Sequence, residues 1–416
     1  MKIIEGRAYV RGGPQDCCIG VENGKIREIK RILKGDEKLR FGGLILPAGI
    51  DLHVHFREPG MTGKEDFLSG TTAAAFGGIT CVFDMPNTIP PATTPERIKD
   101  KAEAVERKAL VDFGLYAALT ENSDIRGLAE VATALKTYLT ISTGDLAVRD
   151  FDGLLGLRKE LSAVGKFISV HCEDPNRIRD AAGSRLEDHL SARPDSAEVS
   201  GIQMVKRLVG VRRIHIAHLS SKRGVESLAG AGLTSEVTPN HLFLNVNCGL
   251  GALAKVNPPI RHKSDQNALW SAFADGRIDV AASDHAPHTL EEKEAGFDSA
   301  PAGMPGVETM IPLLLERVRL KSLPLKRFVN AVCERPAELL SLSKGKIEIG
   351  YDADMIVVDL KKPRKIRADD LHSRCGWTPY EGWKGVFPLA TFLRGELIVE
   401  EEVVAKPTGQ YVGAKH

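Results

Sequence analysis

Two histidines one residue apart, His53 and His55, close the apolar run Gly49-Ile-Asp-Leu-His-Val-His. Side chains at i and i+2 leave the same face of a strand, so the two imidazoles can meet at one point. That point could hold a metal ion. An isolated His-x-His more often fills polar gaps in a core, but here further donors recur, each at or near the end of its own apolar run: Lys136, His171, His218 and Asp284. Four histidines and one aspartate suit a borderline divalent ion such as zinc. Five such donors are too many for one tetrahedral ion with an open position, and too few for two ions without a bridge. Lys136 stands where a bridge is needed, yet an ammonium cannot ligate a cation. Carbamylation by CO2 would remove its charge and supply two oxygens. A lysine in a strand is more commonly a snorkelling or ion-paired side chain, so the residues alone leave both readings open.

The pattern between residues 48 and 345 says which elements must bring these positions together. Strand-like apolar runs at 46–52, 79–84, 111–117, 134–139, 167–170, 213–217, 233–237 and 278–283 alternate with helical periodicity at 64–77, 95–108, 124–133, 150–164, 196–209, 222–229 and 264–276. A further helix at 306–318 follows the eighth strand. This is the signature of parallel βα units, and the count predicts a (β/α)8 TIM barrel. The donors then lie on the face at the strands' carboxyl ends, where such barrels build active sites. Alternation along Ile214-His-Ile-Ala-His218 sends His215 away from His218, which assigns His215 to packing, like Cys172 beside His171.

Residues 1–47 hold short alternating segments with a two-residue hairpin signal at Asn23-Gly24. They are too short to close a core alone. Residues 346–359 and 390–400 also read as strands, so a small β-sandwich domain built from 1–47 and 346–416 is expected beside a barrel of 48–345, with a loosely ordered tail from Lys406.

Lys and Arg number 56 against 55 Asp and Glu, a net charge of +1, which argues against a nucleic-acid or anionic-membrane scaffold. Seven cysteines, odd in number and without a Cys-x-x-Cys pair, read as reduced thiols. The early charges of Met-Lys-Ile-Ile-Glu-Gly-Arg argue against a signal peptide, and nowhere do eighteen uncharged apolar residues run together. A soluble cytoplasmic protein is expected.

The ordered motifs Asp51-Leu-His-Val-His-Phe-Arg-Glu-Pro-Gly60, Asp84-Met-Pro-Asn-Thr88, Ala134-Leu-Lys-Thr-Tyr-Leu139, His171-Cys-Glu173, Ala217-His-Leu-Ser220, Glu236-Val-Thr-Pro-Asn-His-Leu242, Val256-Asn-Pro-Pro-Ile-Arg261, Ser283-Asp-His-Ala-Pro-His288 and Gly350-Tyr-Asp-Ala-Asp-Met355 resemble the cyclic amidohydrolases, and among them the dihydroorotases, over nearly the whole chain. The resemblance implies two zinc or other divalent ions. His53, His55 and Asp284 would hold one, His171 and His218 the other, and Lys136, as N6-carboxylysine, would bridge them. It implies a bridging hydroxide with Asp284 as general acid/base, and reversible cyclisation of N-carbamoyl-L-aspartate to L-dihydroorotate and water in pyrimidine biosynthesis. Arg57, Asn87 and His288 would grip the substrate carboxylate beside His55, Asn257 would contact the ring, and Ala302-Gly303 would offer backbone groups. Glu236 is expected to back a ligand rather than bind metal, and Ala217 argues against a third ion. The stretch Thr140-Ile-Ser-Thr-Gly144 matches the family's mobile loop poorly, so Ser142 and Thr143 are given no role. The resemblance leaves room for a homodimer and for a complex with aspartate transcarbamoylase.

Allantoinases and dihydropyrimidinases resemble this chain in the metal cage but usually lack an arginine at the position of Arg57. Allantoinases also tend to read Met-Pro-Leu-Asn where this chain has Met85-Pro-Asn-Thr88. A non-catalytic scaffold would have lost donors, and none is missing.

Overall fold

The computed structural model describes residues 1–140, 146–179 and 183–413. Four strands open the chain: β1 (Lys2–Val10), β2 (Gly13–Glu22), β3 (Lys25–Lys30) and β4 (Glu37–Pro47). At the β2–β3 turn Asn23 and Gly24 have φ of 52° and 74°, the two positive angles that a two-residue hairpin turn requires. β4 lies parallel to β1 and, on its other edge, antiparallel to β13 (Met355–Val358), so the two ends of the chain join at this pair. With β16 (Pro388–Leu393) and β17 (Glu396–Val399) they complete a seven-stranded sheet in the order β17-β16-β13-β4-β1-β2-β3. A short ribbon of β14 (Arg364–Lys365) and β15 (Lys384–Gly385) stands apart.

The expected union of both termini is present, as one continuously hydrogen-bonded sheet wrapped around its own core. Ile4, Ile19, Ile45, Met355, Val357 and Phe392 share one buried cluster, closed by an edge-on contact of Phe41 with Phe392 at 5.5 Å. Residues 346–350, expected to extend a strand, do not pair as one.

β4 runs almost directly into the barrel. All eight expected strands form and follow one another in space: β5 (Gly49–Val54), β6 (Ile79–Asp84), β7 (Asp112–Ala118), β8 (Ala134–Tyr138), β9 (Ile168–His171), β10 (Ile214–Ile216), β11 (Thr234–Val237) and β12 (Val280–Ala281). Val54 bridges His285 in parallel, with the His55 N–H donating to the His285 carbonyl at 2.7 Å, which closes the circle between the first strand and the end of the last. β5 to β9 are buried at every position, as near-continuous apolar runs require when helices cover their outer face.

The expected helix at 150–164 is instead two, Phe151–Gly156 and Arg158–Val164. Gly153 and Gly156 weaken its middle by about 1 kcal/mol each relative to alanine. The tail is more ordered than expected. Gly409 N–H donates to the Ala109 carbonyl, Phe113 N–H to that of Gln410 and Val412 N–H to that of Phe113, so the tail satisfies backbone groups left open at the start of β7. Among the described residues no helix is long and apolar enough to cross a membrane.

Candidate active site

His53 and His55 reach the carboxyl end of β5 with their ring nitrogens already sorted. Glu236 holds His53 Nδ1, and Asn87 Oδ1 lies 2.7 Å from His55 Nδ1. Both partners only accept, so each ring donates from Nδ1 and keeps the lone pair of Nε2 for the site. Those Nε2 atoms lie 3.4 and 3.2 Å from Asp284 Oδ1. Donor atoms of His53, His55 and Asp284 all fall within 4.8 Å of one another.

A second pair faces them. His171 Nδ1 is 3.0 Å from His218 Nε2, and the His218 ring centroid is 5.3 Å from that of His53. His171 donates from Nε2 to Glu173 at 2.8 Å, and Arg193 clasps the same carboxylate at 2.6 and 3.1 Å. Against the penalty of burial, Arg193 and then His171 hold Glu173 well below the usual carboxylate range. It stays ionised and fixes the His171 tautomer, leaving Nδ1 free to ligate. His218 and Asp284 adopt φ of 35° and 47° just beyond their strands, a costly region for residues other than glycine.

This donor set fits metal ions. Burial pushes the His55 imidazole down to about 4, lowers His171 and drives His218 well below its ordinary value, so each is in the neutral, ligating form at pH 7. His218 Nδ1 is buried without a partner. Lys136 is fully buried and, among the described residues, is bonded only to Ser169 Oγ at 3.3 Å and pairs with no carboxylate. Burial pushes its amine down to about 8, which raises the fraction of neutral amine able to attack CO2 by orders of magnitude over a free lysine.

Next to the donors opens a cavity of about 240 Å³ lined by His53, His55, Arg57, Asn87, Tyr138, His171, His218, Val256, Asn257, Asp284, Ala286, His288 and Pro301 to Gly303. Every expected site residue except Lys136 lines it. Arg57 is 3% exposed, with Nε donating to the Pro287 carbonyl and Nη2 3.1 Å from His288 Nε2. It pairs with neither Glu58 nor Glu65. The first holds Lys108 and the Phe67 N–H, the second His285 and Ser373. Asn257 Oδ1 lies 3.0 Å from His189 Nε2.

Residues 44–398 match the family model described as "Amidohydrolase family". The chain belongs to the amidohydrolase family. Curated relatives include a dihydroorotase of Methanosarcina mazei, 39% identical over 98% of this chain and 96% of its own, and one of Halobacterium salinarum, 40% identical over 88% and 89%. Among solved structures, the L-hydantoinase (dihydropyrimidinase) from Arthrobacter aurescens superposes with a TM-score of 0.93 at 27% identity, covering 99% of both chains.

In this amidohydrolase two residues, His215 and Gly303, behave differently from their expected places. His215 does not turn away from the centre. Its Nε2 lies 3.1 Å from Glu236 Oε2, while Glu236 Oε1 serves His53 and the His218 N–H. Alternation misled because β10 stops at Ile216 and His218 is reached through a left-handed backbone. Gly303 has both backbone groups engaged: its N–H donates to the Lys255 carbonyl and its carbonyl accepts from Lys293. It shapes the wall, and a Cβ there would sit 2.4 Å from the Ala286 carbonyl. Ala302 N–H is bonded to nothing among the described residues, while its carbonyl lies 3.2 Å from His288 Nε2. Of the loop considered above, residues 141–144 with Ser142 and Thr143 lie outside the described residues.

Lys293 had no sequence signal. Buried and without a carboxylate, its ammonium donates to the carbonyls of Lys255, Pro301 and Gly303 at 3.2, 2.9 and 3.0 Å. It ties down the segment that forms one wall of the cavity. Lys293→Met should raise KM about tenfold, the worth of one such bond, with kcat changed less than threefold; steady-state kinetics checks the split.

Proposed function

We propose that this amidohydrolase is a dihydroorotase, interconverting N-carbamoyl-L-aspartate with L-dihydroorotate and water in pyrimidine biosynthesis. The observation that carries the reading is Arg57: a buried guanidinium without a carboxylate partner among the described residues, on the wall of a small cavity that also presents imidazoles and an aspartate. A cation so placed calls for an anionic substrate.

In this reading His53, His55 and Asp284 hold one zinc ion, His171 and His218 a second, and Lys136 joins them as N6-carboxylysine. When bound, the pair would polarise the amide carbonyl and make water nucleophilic at neutral pH. The chain's own groups do the rest. Arg57, with His288 and the free amide nitrogen of Asn87, grips the carboxylate that ring closure leaves untouched. Asn257 and the Ala302 N–H meet the ring amide. Asp284 is a carboxylate, ionised at neutral pH and able to accept a proton. In ring opening it takes the proton of the attacking water and gives it to the ring nitrogen as the C–N bond breaks. In cyclisation the carbamoyl nitrogen attacks the side-chain carboxyl carbon and loses a proton to Asp284, which passes it to the departing oxygen; with one further proton from solvent that oxygen leaves as water. The barrel of 48–345 would carry this chemistry, with 1–47 and 346–416 as the second domain.

Likeness to the hydantoinase fold supports a second reading, hydrolysis of uncharged cyclic amides. Purified zinc-loaded protein should interconvert carbamoyl aspartate and dihydroorotate and turn over dihydrouracil, hydantoin and allantoin at least a hundredfold less efficiently. The reverse preference would move it to the hydantoinases.

A further inference from the structure

Tyr138 lines the cavity yet has no part in the roles above. It is 2% exposed, and its Oη is buried without a hydrogen-bond partner among the described residues. The ring is held firmly: it packs with Ala118 and Leu146, and its centroid lies 6.2 Å from that of His171 and 5.3 Å from Lys136 Nζ. Tyr138 follows Lys136 by two positions on β8, so both side chains leave the same face of the strand. Their shared face is the one turned to the site.

A phenol is protonated at neutral pH, so the hydroxyl can donate. A phenylalanine would fill the same volume without leaving a polar atom unmade, and a buried donor with no acceptor is destabilising. What is absent is an acceptor of the right shape, and the cavity the tyrosine lines is where one would come.

We propose that Tyr138 is a substrate-binding residue whose Oη donates a hydrogen bond to an oxygen of the bound ring or its carboxylate, between Arg57 and Asp284. The assignment rests on the reading of the cavity as the site of a cyclic amide acid. It adds a hydroxyl donor to a set otherwise made of a guanidinium, imidazoles and amides. Such a donor distinguishes oxygen from carbon at one ring position, which a charge cannot do.

The test is Tyr138→Phe in the full-length protein, read in two ways. With no internal bond to lose, the metal-free variant should melt at the same temperature as the metal-free wild type or higher, and zinc content after reconstitution should match. Its kcat/KM should fall ten- to a hundredfold, the loss expected of a hydrogen bond to a substrate oxygen. A kcat/KM within twofold of wild type would overturn the proposal, as would a melting temperature several degrees lower, which would mean the hydroxyl serves the fold. The wild-type preference among cyclic amides decides the dihydroorotase reading independently. The variant is assayed on whichever of them the wild type turns over best, so failure of one claim is not failure of the other.

Discussion

Arg57→Met should lower kcat/KM for dihydroorotate by two to three orders of magnitude while zinc content and melting temperature stay close to wild type. The guanidinium is buried and its nearest partners are a carbonyl and an imidazole, so it has no carboxylate to leave behind. In the proposed reading the substrate carboxylate would be its first directly paired carboxylate. Truncating one member of a desolvated, hydrogen-bonded ion pair costs about 3–4 kcal/mol, and 1.36 kcal/mol is tenfold in rate. Removing an uncompensated buried charge does not weaken the free protein in the same way. Arg57→Lys should fall between the two, since an ammonium keeps the charge but loses the planar fork. Dihydrouracil, which has no carboxylate, should be nearly indifferent to either change. Kinetics on the two substrates, with metal analysis, checks this; loss of metal in Arg57→Met would show that the residue supports the ligands instead.

Lys136→Ala should abolish turnover by at least a thousandfold and leave no more than one zinc ion per chain. In the proposed reading Lys136 is the group that joins the two histidine sets. His53 and His55 converge on Asp284, His171 meets His218, and Lys136 is the buried group whose charge is felt by both His171 and His218. Short carboxylic acids should restore part of the metal and part of the rate by supplying two oxygens in the space left by the side chain. The wild type should carry its own pH signature. Only the neutral amine attacks CO2, and burial places Lys136 at about 8. Reactivation of metal-free protein by bicarbonate and zinc should therefore be slow at pH 6 and rise through about pH 8 to a plateau. Full zinc binding and activity in Lys136→Ala would remove the bridge from the mechanism.

The positions that carry chemistry were readable because strands are local objects. A run such as Phe167 to Val170 is apolar whatever it packs against, and His171 at its end is named by counting. The same locality made the Asn23-Gly24 turn certain, since two positive φ angles are tolerated by few residue pairs. It failed where the strand ended early. His215 and His218 were sorted by an alternation that stops at Ile216, and both in fact meet at Glu236.

What holds the donors in place left no such trace. Arg193 reaches Glu173 across 20 residues, His189 reaches Asn257 across 68, and Trp377 Nε1 donates to the His288 carbonyl across 89. In sequence each is an ordinary arginine, histidine or tryptophan. Ser373 binds Glu65, which in turn holds His285 next to Asp284, so the carboxyl-terminal segment braces the far side of the barrel mouth.

The sequence by itself determined the barrel and named six candidate donors at or near its strand ends, with the arginine beside them, because periodicity and short spacing are properties of neighbouring residues. Only the tertiary structure decided which nitrogen of each imidazole faces the site, that Gly303 has no amide to spare, and that the Tyr138 hydroxyl stands alone. A hydrogen bond between distant residues depends on directions that exist only once the chain has closed around its core.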